Sequence, residues 1–324
     1  MTTAAGARNA AARTQEAVGA AAVWMDRVSK WYGSVIGVNE VSLEIGAGVV
    51  GLLGPNGAGK STLMKLMTGQ LSPNLGAVRL FGRRVRSAAS LRRLGYCPDA
   101  DAFYEEMTGR EFVASMLRLA GFRKSEASRL ADRALATVGM SDRRDKPLRG
   151  CSKGMRQRVK LAQALAHDPD LLILDEPLSG LDPVGRREFC SLFRRLADEG
   201  RTVVISSHVM EEVEAIAERV ILVGGGRVLA QGEWREIAKF LSTVPQRIRV
   251  ASPTARALAA RLVDCAGVVR LDFRGVGECI VTTTDPAEAY DRIGELARLE
   301  GFRVERLWSD SNWAETLFGI AEEA

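Results

Sequence analysis

The segment Gly54-Pro-Asn-Gly-Ala-Gly59-Lys60-Ser61 constrains this chain more than any other, because few backbones can carry it. It matches the phosphate-loop pattern and lies between an apolar run, Val49–Leu53, and a helical pattern starting at Ser61–Thr62. The glycines let the backbone turn tightly enough for successive N–H groups to point at phosphate oxygens. The helix N-terminus adds favourable dipole charge for an anion. Lys60 would neutralise the β- and γ-phosphates, and the Ser61 hydroxyl would ligate Mg²⁺. Gly54, Pro55, Asn56, Gly57, Ala58, Gly59, Lys60, Ser61 and Thr62 are therefore candidate nucleotide-binding residues in an α/β domain.

Two further strand ends belong to the same chemistry. Leu171–Leu174 reads as a buried strand that ends in Asp175-Glu176. Side chains alternate along a strand, so the two carboxylates take different tasks: Asp175 in the Mg²⁺ shell, Glu176 polarising an attacking water. His208 follows the buried run Thr202–Ser206 and falls on the sheet edge where α/β ligands bind, within reach of a γ-phosphate. The five cysteines show no pair at metal or redox spacing, and with only two histidines beside them no zinc site is expected.

The chain has 324 residues, room for about two domains. Its longest stretch without a charge is Ile45–Gly59, 15 residues with six glycines, whereas a spanning helix needs about 20 apolar residues. Residues 1–22 are Ala-rich without apolar periodicity and read as a flexible extension, with an organelle transit peptide as the alternative. From residue 23 to 243, strands alternate with helices. Thr108-Gly-Arg-Glu111 is a capping box, ahead of Phe112, Val113, Met116, Leu117 and Ala120 on one helical face. Asp182-Pro183 starts another helix as N-cap and first residue, striped by Phe189, Leu192, Phe193 and Leu196. Residues 244–324 read β-α-β-β-α-β and a final helix, a small split-βαβ sandwich whose last strand is expected over 302–307. That second domain is acidic: residues 245–324 carry 10 Arg against 13 Asp and Glu, although the whole chain is at +5. The excess of positive charge in the larger part suits phosphate ligands or an anionic membrane surface.

Between these motifs stands Cys151-Ser-Lys-Gly-Met-Arg-Gln-Arg158, which resembles the signature segment of the ABC ATPase family. Ser179-Gly-Leu-Asp182 looks like that family's D-loop, and Tyr32 like its adenine-stacking aromatic. The resemblance covers residues 23–240 and implies a P-loop NTPase fold of ABC type, a RecA-like core with antiparallel β and helical subdomains. It also implies two such domains clamping two ATP molecules head to tail. Ser152, Lys153, Gly154 and Met155 would then face the ATP of the opposite subunit, and Asp182 would lie in the D-loop. Lys60, Glu176 and His208 would be the catalytic set, and Ser61, Asp175 and Asp99 the metal side.

Two positions depart from the family pattern. Gly95-Tyr-Cys-Pro-Asp99 puts aspartate where the family usually has glutamine, so Asp99 adds charge and cannot donate as an amide does. The signature reads Cys-Ser-Lys-Gly-Met for the commoner Leu-Ser-Gly-Gly-Gln, which keeps the serine and second glycine but leaves the lysine side chain at 153 unexplained, with a solvent-facing lysine expected. The nearest resemblance is to ATPase subunits of ABC-2-type exporters, through Gly-Tyr-Cys-Pro, Ser-Lys-Gly-Met and the ending Ser311–Phe318. It implies a homodimer or heterodimer at the cytoplasmic face of the membrane, held there by a separate permease, with dimer stabilisation or regulation left to the C-terminal domain. The alternative is a soluble ABC ATPase acting on nucleic acid or ribosomes. The run Arg79, Arg83, Arg84, Arg86, Arg92 and Arg93 suggests it, but the absence of coiled-coil or zinc insertions between Lys60 and Ser152 opposes it, and no nucleic acid is expected.

Overall fold

The computed structural model describes residues 21–242 and 244–309. Nearly all of the N-terminal extension, and the closing helix with Ser311–Phe318, lie outside the described residues. The chain divides into two compact units between Trp234 and Arg235. That division precedes the 243/244 boundary read from the sequence, and the Trp234 N–H donates to the Glu218 carbonyl of the first unit at 2.9 Å.

The first unit holds two sheets. The smaller is antiparallel and joins β1 (Val23–Tyr32), β2 (Val35–Ile45), β4 (Leu75–Leu80) and β5 (Arg83–Arg84) in the order β2-β1-β4-β5. The larger runs β10-β9-β3-β8-β7-β6, built from β3 (Gly48–Leu53), β6 (Leu94–Cys97), β7 (Leu171–Leu174), β8 (Thr202–Ser207), β9 (Arg219–Gly224) and β10 (Arg227–Glu233). Five of its strands are parallel, and β10 folds back along β9 through a turn with Gly225 and Gly226 at φ 52° and 74°. The residues of β7 and β8 are all buried, since central parallel strands are covered on both faces, which explains the unbroken apolar run of β7 and the Val203–Ile205 centre of β8.

Helix α1 (Lys60–Met67) packs Leu63, Met64, Leu66 and Met67 into a core shared with Met25, Val28 and Ile45 of the antiparallel sheet and Leu52 of β3. After α2 (Ala88–Leu91) and β6 comes a helical segment of α3 (Gly109–Leu119), α4 (Lys124–Thr137) and α5 (Lys153–Leu165). Both halves of the Thr108–Glu111 capping box form, at 3.2 and 2.9 Å. Phe112, Val113 and Leu117 are buried, whereas Ala120, expected inward, is exposed, because the helix ends there and Ala120 is its C-cap. Helix α6 (Pro183–Asp198) starts on Asp182, whose carboxylate accepts from the Gly185 N–H at 2.8 Å, and buries Phe189, Leu192, Phe193 and Leu196. The short α7 (Met210–Glu214) follows β8, and α8 (Trp234–Ser242) follows β10.

The second unit is a four-stranded antiparallel sheet in the order β12-β13-β11-β14, with α9 (Ala255–Leu262) and α10 (Pro286–Leu299). Its strands are β11 (Gln246–Ala251), β12 (Val268–Phe273), β13 (Glu278–Thr283) and β14 (Arg306–Ser309). Ile248, Val250, Cys279 and Val281 alternate onto one face and meet Leu258, Leu262, Ile293 and Leu296 of the helices. The last strand starts later than the expected 302–307. Gly301, at φ 72°, turns the chain out of α10 and the Phe302 N–H closes on the Leu296 carbonyl, so pairing with β11 begins only at Glu305.

Candidate active site

β3, β6, β7 and β8 are parallel, so their carboxyl ends share one edge of the large sheet. That edge gathers the loop after Leu53, Asp99 after Cys97, Asp175-Glu176 after Leu174, and His208 after Ser207. Beside it lies a cavity of about 330 Å³, lined among others by Tyr32, Asn56, Gly57, Lys60, Ser61, Thr62, Asp99, Asp175 and Glu176. This volume is at the small end of the usual range for a ligand cleft, roughly 300–1,000 Å³.

Two glycines of the loop have steric reasons to be glycine. A Cβ on Gly54 would fall 2.3 Å from the Val223 carbonyl oxygen, so the loop is pressed against β9. Gly59 combines a left-handed φ of 105° with a Cβ position 2.7 Å from the Gly37 carbonyl oxygen. Lys60 is buried, and its ammonium donates to the carbonyls of Gly54, at 2.5 Å, and Pro55, at 3.0 Å. Burial lowers its pKa, while the nearby charges of Glu176 and Asp175 act in the opposite direction. A cation held inside the loop by two carbonyls can be turned toward an anion that enters the cavity. Tyr32 is half-exposed at the cavity rim, its hydroxyl 3.5 Å from that of Thr62, and its ring lies against Gly37, where a Cβ would come within 2.8 Å.

The acidic strand end is braced by a residue that sequence reasoning missed. Ser206, fully buried on β8, donates to Asp175 Oδ1 at 2.6 Å and accepts from the Glu176 N–H at 2.8 Å. Its place two residues before His208, on the strand neighbouring β7, is the only signal that could have found it. Glu176 has φ 47°, a left-handed conformation uncommon outside glycine that persists when its surroundings over-determine it. Its Oε1 lies 3.0 Å from His208 Nδ1. Burial raises the Glu176 pKa, and the His208 hydrogen bond works against that rise. A mostly buried carboxylate with a raised pKa, held by an imidazole and facing a cavity, suits proton abstraction from water.

Among the described residues no group of three or more His, Cys, Asp or Glu could hold a metal by itself. One hydroxyl, Ser61, and the carboxylates of Asp175 and Asp99 on the same cavity fit a hard cation that takes its remaining ligands from phosphates and water, as Mg²⁺ does.

Ser152, Lys153, Gly154 and Met155 do not line this cavity, and neither does Asp182. They stand at the starts of α5 and α6. Ser152 is the N-cap of α5, accepting from the Met155 N–H at 3.3 Å, and no acidic residue occupies that first turn. Lys153 has a contact that the sequence did not suggest: a Cβ on Gly180 would fall 2.6 Å from its Cγ and Cδ, so its stem lies flat across the loop before α6.

Three of the six arginines in the basic run, all six of them exposed, have partners within the chain. Arg93 stacks on Phe81 at 3.6 Å and pairs with Asp170 at 2.6 Å, Arg79 lies over Trp24, and Arg86 donates to the Gly69 carbonyl. No described helix is long and apolar enough to cross a membrane.

The family described as ABC transporter matches residues 38–179. The daunorubicin/doxorubicin resistance ATP-binding protein DrrA of Streptomyces peucetius is 36% identical over 273 residues, 83% of either chain. The bacitracin transport ATP-binding protein BcrA of Enterococcus faecalis is 36% identical over 218 residues, 66% of this chain and 70% of its own. A solved structure of an ATP binding subunit of an ABC transporter, 27% identical, aligns over 67% of this chain and 92% of its own with a TM-score of 0.61.

Proposed function

The chain belongs to the ABC transporter family as an ATP-binding subunit, and from that premise we propose how its residues divide the work of an ABC-2-type exporter. Tyr32 stacks on adenine, and the backbone of residues 54–59 with Lys60 and Thr62 receives the phosphates. Ser61, Asp175 and Asp99 would hold Mg²⁺, which would supply positive charge against the phosphoryl group. Glu176 takes the proton of the attacking water. His208 orients Glu176 and contacts the γ-phosphate, while Lys60 stabilises developing charge. The observation that carries this reading is the meeting of Lys60, Asp175 and Glu176 on one cavity, with His208 3.0 Å from Glu176.

Ser152, Lys153, Gly154 and Met155 serve the ATP of a second subunit. The free N–H groups of the α5 start suit an anion, and the chain's own phosphate loop already holds one side of its nucleotide. ATP favours the closed dimer because its γ-phosphate touches both subunits, and hydrolysis removes that differential contact. A separate permease converts closing and opening into export and keeps the subunit at the cytoplasmic face of the membrane. The names of DrrA and BcrA, one a resistance and one a transport ATP-binding protein, support that direction. Action on nucleic acid is not favoured, since these relatives are transport or resistance proteins and arginines of the basic run are spent on Phe81, Trp24, Asp170 and Gly69.

The test is Glu176→Gln, purified from its native host in mild detergent with ATP and Mg²⁺. The expected protein binds ATP, barely hydrolyses it, accumulates as a closed dimer and brings a polytopic membrane protein with it. Near-normal turnover overturns the role of Glu176, and recovery without any membrane protein overturns the exporter.

A further inference from the structure

One stripe of α5 touches the loops after β6 and β7, which carry Asp99 and Glu176. Lys153, Gln157 and Lys160 are spaced four and three residues apart, so they share a helix face. The stem of Lys153 lies across Gly180, in the loop between β7 and α6. Gln157 is buried, and its amide Nε2 donates to the Pro177 carbonyl at 2.9 Å, immediately after Glu176. The same nitrogen lies 4.0 Å from Cys97 Sγ, at the end of β6, two residues before Asp99. Lys160 is buried too, donating to the Asp99 carbonyl at 2.6 Å and pairing with Asp101 at 3.0 Å. β6 and β7 are adjacent parallel strands with Cys97 opposite Leu174, so the Gln157 amide sits between the two strand ends that carry Asp99 and Glu176.

We infer that this stripe, with Gln157 at its centre, is a positioning template: Gln157 and Lys153 hold the left-handed Glu176 and the loop behind it, and Lys160 holds Asp99. The inference rests on the catalytic reading of Glu176. The physical need is plain, since Glu176 keeps φ 47° only if neighbouring groups hold it there. Ser206 fixes its N–H, and Gln157 fixes the carbonyl of the next residue. The lysine side chain at 153, where the family commonly has glycine, thereby gains a role. Its methylenes cover a glycine where a side chain on the loop itself would clash. Because α5 also begins at Ser152, the template ties the groups serving one nucleotide to the segment proposed to serve the other.

The experiment is a double-mutant cycle in single-turnover ATP hydrolysis with the full chain and its permease. Gln157→Leu is expected to lower the rate about tenfold, as a small misplacement of a catalytic group does, with half-saturation by ATP moving less than about twofold. In the Glu176→Gln background the same substitution is expected to change the residual rate less than about twofold, because the group it positions is gone. A tenfold loss in both backgrounds, or in neither, overturns the inference. Normal turnover of Glu176→Gln alone defeats the catalytic reading instead, and so tells the two failures apart. Should Gln157→Leu not fold, the exposed Lys153 decides. Lys153→Gly is expected to lose about threefold in rate and Lys153→Met to recover most of that loss, since the stem is what covers Gly180. Equal losses in both would assign the effect to the ammonium and overturn the template.

Discussion

Replacing Ser206 by alanine deletes one oxygen and strips two groups of a partner. Asp175 Oδ1 loses a 2.6 Å hydrogen bond while its side chain stays buried, and the Glu176 N–H loses its acceptor at 2.8 Å. A hydrogen bond to a charged group contributes about 1.5–3 kcal/mol, and a buried N–H left without an acceptor costs about 1–3 kcal/mol. The cavity admits water at one side of Asp175, which offsets part of the first term, so a net loss of about 3 kcal/mol is expected. For a unit of this size each kcal/mol moves the melting temperature by roughly 2–4 °C, which puts Ser206→Ala about 6–12 °C below the wild type. Differential scanning calorimetry reads that shift in the first unit. Turnover should also fall, since the same oxygen steadies both carboxylate-bearing residues. A shift below about 2 °C with turnover within twofold of wild type would refute the bracing role, because no buried charge-assisted bond is that weak when half-removed.

The raised pKa of Glu176 sets a pH prediction. As a base it must be ionised, so turnover falls as pH drops through a pKa lying above the ordinary glutamate value of about 4.3. His208→Ala removes the hydrogen bond that opposes the rise, so the acid limb of the remaining activity should move to higher pH, and a limb that stays or moves down contradicts the pairing. Asp99→Gln, which restores the amide common in the family, should change the Mg²⁺ concentration for half-maximal turnover with the permease present. Identical Mg²⁺ curves for the two proteins would remove Asp99 from the metal side.

Much of the site was legible because its chemistry is local. The phosphate loop needs contiguous residues, since glycine conformations, a helix start and a lysine must follow one another within a few bonds of backbone. Asp175, Glu176 and His208 could be found because β-strands announce themselves by buried runs and because parallel strands end on one edge. Ser206, Gln157 and the stem of Lys153 could not be found that way. Each acts on a partner 20 or more residues distant or across a strand boundary, at 30 residues for Ser206 to Glu176 and 20 for Gln157 to Pro177. A buried serine in a strand and a glutamine in a helix carry no pattern that says whose hydrogen bond they complete.

The second unit divides the same way. Its strand and helix order followed from alternation and from the Asp285-Pro286 start of α10, whereas the late start of β14 depended on how the chain leaves α10 at Gly301. By itself the sequence determined that this chain carries a phosphate loop on an α/β sheet and a small split-βαβ unit, because those are properties of covalent order and hydrophobic period, while the ABC type rested on the resemblance of its signature segment to that family. Only the tertiary structure decided that the Ser206 hydroxyl, the Gln157 amide and the Lys160 ammonium meet the backbone around Glu176 and Asp99. Those partners meet only when distant segments are packed, and burial is what makes a single hydrogen bond there decisive.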